Sequence, residues 1–293
     1  MDWKLSFAGL LIGLLVGLTG MGGGSLMTPM LVLLFGFKPS VAIGTDIVHG
    51  AIFKSFGAVQ HRRLGHVHAR LTGWMLLGSA PFSIVGVGLA WWLKREYGDG
   101  YEDTAKQILG VALVLCGIGF LIKTYLHTSP EDKPYILSNR DRRIAFATGV
   151  VGGFVVGITS VGSGTLFGLV MLVAFPLTAA KIVGTDIFHA ALLLAVAGAG
   201  HMVAGNVDFV ATAWLLVGSV PGVLIGGHFT VKLPDRTLRF ALASTLFLAG
   251  VKLVNPPGAD VIVLLGAAGA AIAVLVGVVR WIVARPWLAG APR

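Results

Sequence analysis

One cysteine, Cys116, is all the chain has, and it sits inside an apolar run. That excludes an intrachain disulfide, a cysteine-rich zinc site and a cysteine-bound iron–sulfur cluster, so redox chemistry is not expected. Charge is scarce as well: Asp, Glu, Lys and Arg together make up only 12% of 293 residues. The glycine-rich loop ending in Lys-Ser or Lys-Thr that cradles nucleotide phosphates is missing, which argues against nucleotide-driven work by this chain alone. No small-residue cleavage site follows the first apolar stretch, so residues 1–18 read as a membrane segment rather than a removable signal.

What is present is apolar. The hydrophobic fraction is 56% and the mean hydropathy +0.87, values that a water-exposed domain of this length would not tolerate. Lipid is therefore the expected solvent, and 42 glycines with 7 tryptophans suit packed transmembrane helices. The net charge of +9 comes from short basic clusters between apolar runs. Such clusters fit cytoplasmic loops better than a nucleic-acid surface.

Sliding the chain by 140 residues lays Gly13–Gly86 on Gly153–Gly226 without a gap, with roughly a third of positions identical. The matches fall on special residues: Gly17 on Gly157, Thr19 on Thr159, Gly22 and Gly24 on Gly162 and Gly164, Asp46 on Asp186, and His49 on His189. His61 on His201, Trp74 on Trp214 and Pro81 on Pro221 extend the pattern. Shared lipid composition would align Leu, Val and Ala instead.

A bilayer core takes about 20 helical residues. Seven full spans are expected: 41–60, 71–93, 107–125, 182–204, 209–230, 238–254 and 261–283. The runs Leu5–Phe37 and Ile144–Phe175 are too long for one untilted helix and are broken centrally by glycines (TGMGGGS and TSVGSGT). Each reads as two half-length helices joined by a glycine turn, a break tolerated at membrane depth only inside protein or against a polar cavity. The segment His61–Arg70 carries Arg62, Arg63 and Arg70, whereas its copy after His201 has no Lys or Arg. Homologous loops then lie on opposite sides. The expected fold is an all-α integral membrane protein of two inverted repeats, each a broken-helix hairpin plus three transmembrane helices, with one extra C-terminal helix. The expected divisions are a first repeat over 1–126, a cytoplasmic linker over 127–143, a second repeat over 144–254, and a last helix and tail over 255–293. The N-terminus is expected outside and the C-terminus in the cytoplasm.

The candidate site follows from that arrangement. Broken helices meeting between inverted repeats near the midplane are how many secondary transporters bind solute. The glycine turns open half-helices whose amides and positive dipole end favour an anion. Thr19, Gly22, Gly23, Gly24, Ser25 and Thr45 in one copy, with Thr159, Gly162, Ser163, Gly164, Thr165 and Thr185 in the other, are the expected substrate-binding residues. The alternative reading is that these glycines only permit close helix packing. Asp46 with His49, and Asp186 with His189, stand three apart on shared helix faces, and an aspartate at mid-bilayer costs about 2.5–3.5 kcal/mol. Each carboxyl is either protonated or held by a cation, a histidine or a helix end. Ion coupling is one role for them and helix capping another. Lys54, aligned with Leu194, can balance Asp46, contact an anion or snorkel to a loop, and His61 and His201 either gate or cap carbonyls.

LTGMGGGS (Leu18–Ser25), the twin GTD segments followed by His61, Gly65 and Val67, and the W-x-x-x-G-S-x-P runs at Trp74–Pro81 and Trp214–Pro221 resemble the TauE/SafE sulfite exporter family. The resemblance covers most of both halves. It implies a multi-pass transporter of the bacterial or archaeal cytoplasmic membrane, associated with export of sulfite or small organosulfonates. Many members carry a neutral hydroxyl residue where this chain has Asp46 and Asp186. Two carboxylates repel a dianion unless protonated or paired with a cation, so the departure points to proton or sodium coupling.

The expectation is a secondary transporter of a small oxyanion such as sulfite or an organosulfonate, coupled to protons or sodium, and not an enzyme. No cofactor, resident metal or nucleic-acid partner is expected, and the partners are the anion, the coupling ion and the bilayer. One rival is a cation-selective carrier or channel using the intramembrane aspartates. Another is an intramembrane metalloenzyme with the two Asp-x-x-His pairs as ligands.

Overall fold

The computed structural model describes residues 3–19, 24–125, 135–229 and 235–283. Among them are eleven helices: α1 (Trp3–Thr19), α2 (Gly24–Phe35), α3 (Pro39–Arg63), α4 (Ala69–Tyr97), α5 (Gly100–Tyr125), α6 (Asn139–Thr159), α7 (Leu166–Ala174), α8 (Ala179–Val203), α9 (Phe209–Phe229), α10 (Asp235–Val254) and α11 (Ala259–Val283). The described residues contain no strand. Five of these helices, α4, α5, α6, α8 and α11, are long and apolar enough to cross a membrane. α3 has the length, 25 residues, but carries Asp46, His49 and Lys54 inside it.

Local sequence sets the helix ends. Pro39 opens α3, where a missing amide is harmless. Ser138 starts α6 with a reciprocal cap: its hydroxyl accepts from the Asp141 amide at 3.2 Å, and the Asp141 carboxylate accepts from the Ser138 amide at 2.7 Å. This cap begins α6 five residues before the apolar run, and the second hairpin is therefore uneven, with arms of 21 and 9 residues rather than two equal half-helices. The break falls where the glycines predict. Ser160 (φ 64°), Gly162 (φ 110°) and Gly164 (φ 132°) all take backbone conformations with positive φ, which an α-helix cannot contain.

The two halves pack on each other in a reciprocal pattern. α1 lies on α9 and α4 on α6, while α3 lies on α8 and α5 on α10. Glycines make these approaches close. A Cβ on Gly13 would stand 2.3 Å from the Ser219 carbonyl oxygen, and one on Gly153 would stand 2.3 Å from that of Ser79. Such backbone-to-backbone seams are what small residues allow where lipid gives helices no hydrophobic reason to associate. Numbering also gives direction. Along α3 and α8, Gly50 faces Leu194 and Gly57 faces Ile187, so these two helices run antiparallel; Gly110 facing Gly250 and Gly117 facing Ala243 put α5 and α10 in the same relation.

The core forms two main clusters. One joins α1 and α2 to α5, α9 and α10 through Met27, Leu31, Leu113, Leu215 and Leu246; the other joins α6 and α7 to α4 and α8 through Leu71, Met75, Phe167, Met171 and Leu194. α3 contributes Phe53 to the first and Ile47 to the second. Each hairpin thus packs against the fourth helix of the other half, with α3 and α8 between them.

Candidate functional site

The two GTD segments use each residue differently. At the glycine, a Cβ would stand 2.3 Å from the Asn206 carbonyl oxygen in the first copy and 2.4 Å from that of His66 in the second, so the loop of the opposite half lies directly on the helix. The threonine hydroxyl then holds that loop. Thr45 Oγ1 accepts from the Asp208 amide at 3.0 Å, and Thr185 Oγ1 from the His68 amide at 2.9 Å. The histidine, a turn further on, reaches the serine of the opposite G-S-x-P run: His49 Nε2 lies 2.8 Å from Ser219 Oγ and His189 Nε2 lies 2.9 Å from Ser79 Oγ. All these polar groups are buried except the loop residues His66, His68 and Asp208.

At the aspartates the symmetry ends. Asp46 is 1% exposed; its Oδ2 accepts from Thr28 Oγ1 of α2 at 2.5 Å and from Ser160 Oγ of the second break at 2.6 Å. Its Oδ1 is buried with no hydrogen-bond partner among the described residues. Lys54, 2% exposed, lies two turns along α3 and donates to the Ser163 carbonyl at 3.1 Å and to Ser163 Oγ at 3.0 Å. Asp186, equally buried, and Asp46 both lie within Coulombic reach of the Lys54 ammonium. One helix break therefore touches a carboxylate through Ser160 and an ammonium through Ser163. α7 begins two residues beyond Gly164, and Thr165 at its start makes no side-chain cap.

The remaining expected residues are placed apart from these charges. Thr159 Oγ1 donates to the Val155 carbonyl at 2.7 Å and accepts from the Val161 amide at 3.1 Å, which closes the end of α6. Thr165 Oγ1 donates to Cys116 Sγ at 3.0 Å. His201 donates from Nε2 to the Gly157 carbonyl at 3.0 Å, capping one of the last carbonyls of α6. The half-buried His61 ring neighbours that of His66, with centroids 5.7 Å apart. Gly22 and Gly23 lie outside the described residues; Thr19, Gly24 and Ser25 are described by their backbone alone, at the end of α1 and the start of α2. Among the described residues, no three His, Cys, Asp or Glu side chains converge as metal ligands.

Four residues join the site that the sequence did not single out: Thr28, Ser160, Ser79 and Ser219. The two serines of the G-S-x-P runs carry a usable signal, since they are duplicated at the 140-residue spacing. Thr28 and Ser160 carry none, because they align with Gly168 and Gly20.

Comparison with known proteins finds a family and relatives. Residues 5–253 match the sulfite exporter TauE/SafE family. The chain is 39% identical over 256 residues, 87% of its own length and all of the relative's, to YjnA of Bacillus subtilis, named as a probable membrane transporter protein. It is also 26% identical to YdhB of the same organism, named likewise, over 83% of this chain and 96% of that one. No solved structure matches it.

Proposed function

The chain belongs to the sulfite exporter TauE/SafE family and is a multi-pass membrane transporter; from that premise we propose that it moves a small oxyanion, sulfite or an organosulfonate, as a secondary transporter coupled to protons or sodium. The observation that carries this reading is the second helix break, whose Ser160 and Ser163 reach Asp46 and Lys54. The break and the intramembrane charges are then one site. The start of α7 and the Lys54 ammonium attract an anion to Gly162, Ser163 and Gly164, and Thr19, Gly24 and Ser25 hold the equivalent sequence positions in the first half. Asp46 and Asp186 handle the coupling ion, with His49 and His189 positioned beside them by Ser219 and Ser79. Thr45, Thr185, His61 and His201 support the helices and loops that must move.

Alternating access follows from inverted repeats, over 1–126 and 144–254, rocking about the α3–α8 seam. The reciprocal packing and the antiparallel run of α3 against α8 support inversion. Loop charges put the N-terminus outside and the C-terminus in the cytoplasm, with the family supplying export as the direction.

The test is sulfite and organosulfonate flux into or out of proteoliposomes, with Asp46→Asn and Asp186→Asn beside the unaltered protein. Loss of pH or sodium dependence in either variant is expected; flux and its ion dependence both surviving would remove the coupling role. A cation carrier is the second reading, favoured by the unpartnered Asp46 Oδ1. Binding that depends on the cation alone, with no oxyanion effect, would establish it in place of the first.

A further inference from the structure

We propose that Lys54 is the counter-charge of the transported oxyanion, and that the anion takes this ammonium over from Asp46 and Asp186, so that each anion charge brings one proton or sodium ion into the site. The inference rests on the oxyanion reading above and adds the residue that selects the charge and the stoichiometry that follows.

Lys54 is the one buried lysine among the described residues. Its two hydrogen bonds both go to Ser163, one of them to the backbone carbonyl of the break. A carbonyl and a hydroxyl are weak partners for a fully buried ammonium, and the balancing charge comes from the two aspartates within Coulombic reach. An oxyanion at Ser163 and Gly164 offers the same ammonium a short, charge-assisted bond in place of the carbonyl. Pseudo-symmetry does not supply this group: the equivalent position is Leu194, on the core side of α8. The anion is therefore held by one side of a duplicated site.

Charge count gives the coupling. Each anion charge added to this set of two carboxylates and one ammonium makes its sum one unit more negative at a depth where unpaired charge is not tolerated, and one cation per anion charge leaves the sum unchanged. The other titratable groups packed here, His49 and His189, are each held through Nε2 by a serine hydroxyl. The aspartates, losing their share of Lys54, are the groups left to receive the entering cation, either as a proton on a carboxylate oxygen or as sodium on its lone pairs. Anion and cation then travel in the same direction, and net direction follows the sum of the two gradients.

The test uses the full chain in proteoliposomes loaded with a pH-sensitive dye or assayed with 22-sodium, with sulfite as the probe anion. Unaltered protein should move about one cation per anion charge. Lys54→Met should raise the apparent KM for sulfite about tenfold to a hundredfold, in line with the loss of one charge-assisted bond. Lys54→Arg should restore most of it. Monodisperse elution of each variant separates a binding effect from a folding one. An unchanged KM in Lys54→Met, or sulfite flux that carries no proton and no sodium, would overturn the inference while leaving an oxyanion transporter standing. Absence of oxyanion flux in the unaltered protein would sink both readings together.

Discussion

Ser160 donates its hydroxyl hydrogen to Asp46 Oδ2 across 2.6 Å, and Thr28 donates to the same oxygen from the opposite hairpin. One carboxylate oxygen on α3 thus ties the break of the second hairpin to α2 of the first. Hydrogen bonds to a charged group are worth about 1.5–3 kcal/mol when one partner is removed. Ser160→Ala and Thr28→Ala should each lower kcat/KM for the anion by about tenfold. The double variant should lose more than the product of the two, because only it leaves Oδ2 with no donor. A double-mutant cycle on proteoliposome flux checks this, and strict additivity would show that the two hydroxyls act independently.

The mirrored contacts His49–Ser219 and His189–Ser79 make a prediction about stability. Hydrogen bonds between membrane helices average about 0.6 kcal/mol and reach about 1.7. Ser219→Ala and Ser79→Ala should destabilise the protein by similar amounts within that range. His49→Phe combined with Ser219→Ala should be nearer neutral than either alone, since no buried polar atom is then stranded. Thermal unfolding in detergent, followed by size-exclusion fluorescence, is the measurement. Clearly unequal effects of the two serine changes would mean that the halves are not energetically equivalent at these seams.

The duplication was legible because the repeated residues are ones that lipid does not select for: Gly44 and Gly184, Asp46 and Asp186, His49 and His189. The glycine breaks were legible for the same reason, and the structure puts the second at Ser160–Thr165 as composition suggests. The unequal hairpin arms were less visible, since the α6 cap at Ser138 lies in charged sequence outside the apolar run. Partnership was not legible at all. Ser79 pairs with His189 only because α4 packs on α6 and α8, an exchange between halves that no local pattern encodes. Ser160 and Thr28 have no repeat counterpart, so comparing the chain with itself passes over the two donors that distinguish Asp46.

Gly44 and Gly184 supply a steric prediction. Each faces a backbone carbonyl of the other half, whose oxygen lies 2.3 Å and 2.4 Å from where a Cβ would stand, and backbone cannot step aside as a flexible side chain can. Gly44→Ala and Gly184→Ala should each cost about 1–3 kcal/mol, the usual range for overpacking. Gly73→Ala in α4 is the control: nothing lies within 4 Å of its Cβ position, and alanine there should be neutral or stabilising by up to about 1 kcal/mol. Thermal unfolding of the three variants decides it. Equal tolerance at all three positions would mean that the α3 and α8 loops are not docked as described.

Sidedness can be read directly, because a single cysteine makes a clean background. Cys116→Ser keeps an acceptor for the Thr165 hydroxyl and removes the only thiol. His68 Nε2 lies 3.1 Å from the Tyr135 carbonyl, so the loop after α3 and the start of the second half share one face. Lys94 donates to Asn206 Oδ1 at 2.9 Å, which puts the end of α4 and the loop after α8 on one face as well. Leu64→Cys and Ile136→Cys, both at exposed positions, should then be labelled together by a membrane-impermeant maleimide. Tyr97→Cys and Val203→Cys, also exposed, should be labelled from the other side. The basic residues Arg62, Arg63, Arg140, Arg142 and Arg143 near the first pair predict the cytoplasm for it. In intact cells the second pair should react and the first should need permeabilisation. Positions 64 and 203 end matching helices, α3 and α8, so reaction of both from the same side would mean that the two halves are not inverted.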